Sequence, residues 1–145
     1  MLHASSNTRP LLTERPIDVK GYDVDFLGHV NNAVYVRWME DLRVAFLYAH
    51  CPLRRVIEAG IAPVVHETQI RYLKPVKLFD PVVGRIWCSE LGRATLVLHA
   101  EIAVDGMIYT EVRQRVMFID FRIEKPARTP SELAEAFRNA MQEGV

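Results

Sequence analysis

The sequence predicts an α+β domain in which an antiparallel sheet wraps around one long central α-helix, with a short helix near the C-terminal end. Three observations carry this reading. From Ala33 to about His50 there is neither glycine nor proline, and apolar residues dominate. Between residues 94 and 104, apolar and polar residues alternate with period two, the pattern of a strand with one buried face. The Asp105-Gly106 pair that follows is the strongest short hairpin signal.

Each element follows in chain order. Residues 1–13 are polar and mixed, and are expected to be a flexible segment ahead of a single domain over 14–145. Arg15 to Tyr22 is a modest strand candidate. In the long helix, Val34, Trp38, Leu42, Ala45 and Phe46 share one face, but Val36, Met39, Val44 and Leu47 are apolar on others. A helix apolar around most of its girth is expected to be buried, and Pro52 ends it. Glu40 and Arg43 are spaced for an intrahelical pair. Next, VVHETQIRYLKP sets Val65, Glu67, Gln69 and Arg71 against Val64, His66, Thr68, Ile70 and Tyr72. PVVGRIWCSEL and ATLVLHAEIAV add two strands, and a long one returns from Ile108 to about Phe121. SELAEAFRNAM reads as the terminal helix, with Ser131 as its N-cap.

Bulk composition excludes more than it selects. The chain of 145 residues is long enough to bury a core without disulfides or metals. Lys plus Arg equals Asp plus Glu at 18 each, so no strong electrostatic footprint points to nucleic acid or to an anionic membrane. Cys51 and Cys88 lack metal or disulfide spacing and are expected to be buried hydrophobes. His66, His99 and Glu101 are too scattered for ligand spacing, so no metal is expected. The start of the chain does not read as a signal peptide, and no apolar run is long enough for a membrane span. A soluble cytoplasmic protein is the expectation.

The chemistry concentrates in DVDFLGHVNN, residues 23–32, directly before the helix. Asn31 or Asn32 is a plausible N-cap. First-turn amides of a helix have no internal partners and carry partial positive charge. They can be capped, or they can receive negative charge developing on an acyl carbonyl. Asp25, four residues before His29, offers a base or nucleophile beside a proton shuttle, and Gly28 permits a tight turn. Asp23 is expected to be an exposed turn residue. Taken alone, the pattern also fits a capped turn with no further role.

DVDFLGHVNNAVYVRWMEDLR resembles the signature of the hot-dog-fold thioesterases of the 4-hydroxybenzoyl-CoA thioesterase type. That motif runs Asp-x-Asp-x-x-Gly-His-Val-Asn-Asn-x-x-Tyr, with a Glu and an Arg further along the helix. Asp23, Asp25, Gly28, His29, Val30, Asn31, Asn32, Tyr35, Glu40 and Arg43 match it in order and spacing. IRYLKPV and LGRATLVL also fit, so the resemblance spans roughly residues 15–122. It implies an acyl-CoA thioesterase without metal or redox cofactor, CoA being part of the substrate. Asp25 would be base or nucleophile and His29 a hydrogen-bond donor or shuttle. Gly28, Val30, Asn31, Asn32 and Tyr35 would line the substrate site. Subunits of the family pair edge to edge as homodimers or homotetramers, with the acyl group entering between the helix and the partner. Tyr72 and Arg93 are candidates to touch CoA, whose phosphates need cations. Leu27 stands where related plant acyl-carrier-protein thioesterases have Asn. The alternatives are a hot-dog module that binds acyl-CoA or acyl carrier protein without turnover, and a dehydratase, whose different His-acid motif is not seen.

Overall fold

A computed structural model describes residues 2–5 and 7–143. Met1 and Ser6, from the expected flexible segment, and Gly144 and Val145, from the end of the expected domain, lie outside the described residues. In chain order the elements are β1 (Leu2–His3), β2 (Thr13–Ile17), a 3-10 turn (Gly21–Asp23), α1 (Asn32–His50), α2 (Leu53–Glu58), β3 (Ile61–Tyr72), β4 (Val82–Leu91), β5 (Thr95–Val104), β6 (Met107–Asp120), β7 (Lys125–Pro126) and α3 (Ser131–Gln142). One sheet runs β1-β4-β5-β6-β3, with β2 also on β4 and β7 also on β6. Every pairing is antiparallel. This is the hot-dog arrangement, an antiparallel sheet curled around α1.

The inner sheet face is apolar because each strand contributes alternate residues to it. Ile86 and Cys88 of β4, Leu96, Leu98 and Ile102 of β5, and Val112, Val116 and Phe118 of β6 are buried there. They meet Val34, Tyr35, Trp38, Met39, Leu42, Phe46 and Leu47 of α1, and Leu133 and Phe137 of α3 close one end. Gly84 allows the close approach of α1 to β4. A Cβ there would sit 2.8 Å from Ile17 Cδ1 and 2.9 Å from both Leu42 methyls. Burial pushes the thiols of Cys51 and Cys88 up to about 11 and about 12, so both stay protonated.

Three expectations change. First, α1 is not buried all round: Val36, Glu40, Val44 and Tyr48 are exposed along one side, which the chain's own sheet does not reach. Second, β3 does not alternate in one phase. A bulge between Val65 and Glu67 resets the register, so Val65 and Ile70 both pack against the core while Glu67, Gln69 and Arg71 face outward. Third, Pro130 takes the N-cap position of α3 and Ser131 is its first residue. The N-terminal segment lies along the sheet: Leu2 and His3 pair with Leu91 and Glu90, and the Cys88 amide donates to Pro10 O.

That segment brings a cation onto the outer face. Arg9 makes a bidentate pair with the buried Glu101 and stacks over Trp87, 4.2 Å from the ring centroid. Trp87 stacks in turn on His99. Glu101 stands directly opposite Glu111 across the ladder, an unfavourable like-charge pairing. Arg9 and Arg85 answer the first carboxylate and Arg71 the second.

Gly84→Ala is expected to cost about 1–3 kcal/mol by overpacking against Leu42, which is already fully enclosed, lowering Tm by roughly 3–10 °C. Calorimetry checks this; an unchanged Tm would mean that the helix does not rest on β4 at this point.

Candidate active site

The run of polar residues before α1 folds back on itself. Asp25 O accepts the Gly28 amide at 3.0 Å, and the Asp25 amide donates to His29 O at 2.8 Å. Within this loop Asp25 Oδ1 accepts the amides of Leu27 at 2.9 Å and His29 at 3.0 Å. Gly28 turns the chain at φ +76°, in the left-handed region. The carboxylate is thus gripped through one oxygen by main-chain donors while the residue stays exposed, leaving Oδ2 available.

Asp23 behaves in the opposite way. Expected to be exposed, it is buried: Oδ2 accepts the Lys20 amide at 2.9 Å, and Oδ1 lies 4.0 Å from Arg37. Its carbonyl accepts the Asn31 amide, so Asp23 ties the loop to the start of α1.

α1 begins without a side-chain cap, although Asn31 stands at the N-cap position. The first-turn amides of Asn32 and Ala33 therefore keep the open donors that every helix start presents. Tyr72 OH donates to Asn32 O at 3.3 Å, and its ring meets that of Tyr35 edge-on at 5.1 Å. Tyr35 is 2% exposed. Its hydroxyl accepts the Val76 amide at 3.2 Å, and Val76 O accepts the Val30 amide at 2.8 Å. Burial raises the Tyr35 pKa, opposed by the Val76 hydrogen bond. One phenol thus links the helix, the segment after β3 and the Asp25 loop.

These groups border one cavity of about 440 Å³, lined by Asp25, His29, Val30, Asn31, Asn32, Tyr35 and Tyr72 together with Leu73, Lys74 and Pro75. A carboxylate, an imidazole and the open end of a helix at one cleft can activate a nucleophile and receive developing negative charge.

A family model described as the thioesterase-like superfamily matches residues 19–137. The chain belongs to the thioesterase-like superfamily. It is 27% identical over 121 residues to the long-chain acyl-CoA thioesterase FadM of Escherichia coli (strain K12), covering 82% of this chain and 92% of that protein. The fold is similar to a thioesterase from Thermus thermophilus crystallised with coenzyme A and Zn. That similarity has a TM-score of 0.76 at 27% identity, covering 89% of this chain and 93% of that one. A DHNA-CoA thioesterase from Staphylococcus aureus shares the fold with a TM-score of 0.83 at 20% identity, over 92% and 95% of the two chains.

In this thioesterase-like chain, Gly28 shapes the loop without lining the cavity, and Arg93 lies elsewhere. It borders a second cavity of about 420 Å³ with Arg128, Arg138, Thr129 and Ser131. That cavity adjoins α3, whose Glu132 acts on Cys51 just past the C-terminal end of α1. Asp25 adjoins the other end, and 19 residues of helix span about 28 Å. Sequence reading missed Leu73, Lys74 and Pro75; a proline and two lysines directly after a strand were the available signal.

Tyr35→Phe should leave the Val76 amide unsatisfied, costing about 1–3 kcal/mol, and speed hydrogen exchange at that amide. Unaltered exchange there would mean that the hydroxyl does not hold the segment.

Proposed function

We propose that the chain hydrolyses acyl-CoA thioesters to a free acid and CoA, with Asp25 as base or nucleophile. The observation that carries this reading is the Asp25 carboxylate held by two amides at a cleft beside the uncapped start of α1. Oδ2 either takes a proton from water or attacks the carbonyl carbon, and the Asn32 and Ala33 amides stabilise the oxyanion. His29, which lines the same cleft, would donate a hydrogen bond or move a proton there.

The working unit is a homodimer, alone or within a homotetramer. Two features support this: β3 is a 12-residue edge strand with its outer side unpaired among the described residues, and α1 leaves Val36, Val44 and Tyr48 open beside it. A long free edge is a template for another chain. Antiparallel pairing of β3 with its copy would carry the Tyr72 end of one protomer to the Ile61 end of the other. Arg93 belongs to that second end, because Phe118 pairs with Pro63 of β3 and donates its amide to Ala94 O. The cavity around Arg93, Arg128 and Arg138 would then offer guanidinium groups to the CoA phosphates of a substrate whose acyl carbon meets Asp25 of the first protomer. Its acyl group would lie along the open side of α1. The two free, buried cysteines fit a reducing cytoplasmic setting.

Asp25→Asn retains Oδ1 for the Leu27 and His29 amides, so the variant should fold. Turnover, measured as thiol release from short, long and aromatic acyl-CoAs, should fall by about 10²–10⁴-fold. Near-normal hydrolysis would refute the assignment, and saturable binding without thiol release by the wild type would favour a binding module. Mixing Asp25→Asn subunits with Arg93→Ala/Arg128→Ala subunits should recover activity that neither has alone; no recovery would argue against a shared site.

A further inference from the structure

The N-terminal segment is fastened over the domain at two histidines. At the end of α1, His50 donates to the carbonyl of Leu11, which also accepts Thr13 Oγ1 at 3.2 Å. Its Nε2 is buried without a partner, so Nδ1 carries the donated hydrogen. The ring packs against Phe46, with 5.0 Å between centroids. On the outer sheet face, Arg9 and His99 share the ring of Trp87, at 4.2 Å and 5.7 Å from its centre. Two main-chain bonds complete the fastening: the Cys88 amide on Pro10 O at 3.1 Å and the Ala4 amide on Ser89 O at 2.8 Å. Leu11 holds φ +60°, a conformation disfavoured for leucine, so the segment is bent onto these anchor points at some cost.

For His50 the geometry favours a neutral ring. Protonation would put a second N–H on Nε2, where no acceptor stands, and an unpaired buried donor of this kind is costly. Burial holds the His50 pKa below the ordinary imidazole value, opposed by the Leu11 hydrogen bond. Among the described residues no carboxylate lies within ion-pair distance of His50, and Glu132 of α3 acts on the neighbouring Cys51. His99 is also held low, by burial and then by Arg113 of β6, with Glu90 of β4 opposing. Arg71, Glu101 and Glu111 line the same outer-face cavity. A cation on His99 would compete with the Arg9 guanidinium for one indole ring. One group works the other way. His3 faces Glu90 at 3.4 Å and would pair more strongly once protonated, but an exposed pair contributes little.

We infer that the N-terminal segment is an acid-responsive cover, closed while His50 and His99 are neutral and opening more readily as they take up protons. Opening lets His50 Nε2 reach solvent and separates Arg9 from Trp87. Both folded-state pKa values lie below those of the freed side chains. The closed arrangement is therefore fully favoured above the ordinary imidazole value and loses that advantage as pH falls below it. Two protons make the response steeper than one. Glu101 resists opening, since it would keep only Arg85 at 3.9 Å, so the open form is a minor population that protons enlarge. Leu2 of β1 and its partner Leu91 form part of the wall of the cavity around Arg93, Arg128 and Arg138, so opening removes one side of that cavity. Neither histidine lines the Asp25 cleft, and the device does not depend on the hydrolase reading.

Hydrogen exchange reads the open population directly. At about pH 5.5 the protection factors of the Cys88 and Ala4 amides should be about tenfold or more below those at about pH 7.5, while amides of the β5–β6 ladder keep theirs. His50→Asn keeps a side-chain N–H for Leu11 O, His99→Phe keeps a ring on Trp87, and neither replacement titrates. The double variant should lose less than about twofold over the same interval. Each single variant should fall in between, which decides the matter if the double variant does not fold. Equal Cys88 protection at the two pH values would overturn the inference, as would variants that remain as pH-sensitive as the wild type. A loss shared equally by the β5–β6 ladder would overturn it too, since the whole domain would then be opening.

Discussion

Met39, Leu42 and Phe46 hold α1 against the inner face of the sheet, and Gly84 lets the helix come within van der Waals contact of β4. Close packing of this kind leaves little room for the helix to slide or roll. Its first turn is therefore fixed at one end of the sheet, and the chemistry is assembled around that fixed point. Tyr35 then carries the constraint outward, through Val76 to Val30. An apolar packing requirement thus ends up setting the position of a polar site.

The two aspartates show how one short segment divides its labour. Asp23 is enclosed and spends its oxygens on the Lys20 amide and Arg37, so it serves as a fastening. Asp25, two residues later, is held through a single oxygen and faces the cleft. The 3-10 turn at Gly21–Asp23 and the loop closed at Gly28 rotate the two side chains apart, which an extended strand would not do.

What the sequence made legible was whatever is governed by neighbours along the chain. The alternation in β5 predicts its inner face, Leu96, Leu98, Ala100 and Ile102, and Asp105-Gly106 forms the expected turn with φ of +51° and +80°. The helix is found within one residue of its expected start. Of the candidate site residues, those within residues 25–35 other than Gly28 gather at one cleft because they are close in sequence, and Tyr72 joins them through β3. The rest depends on partners distant in sequence. Nothing local tells that Asp23 meets Lys20 and Arg37 out of water, that a bulge reverses half of β3, or that Arg93 lies at the opposite end of α1. The open side of α1 escapes a sequence reading for the same reason: apolar composition does not say which molecule does the covering.

Arg9 on Glu101 has a practical consequence. The bidentate counterion of Glu101, the buried one of two facing glutamates, is supplied by the first dozen residues, which composition alone would mark as dispensable. Trimming the chain to the family-like region, or fusing a bulky tag so that this strap is displaced, would strand an enclosed anion with only Arg85 at 3.9 Å to answer it. The strap is in this sense an internal salt of the fold, and expression designs that begin near β2 would be working with a different electrostatic object.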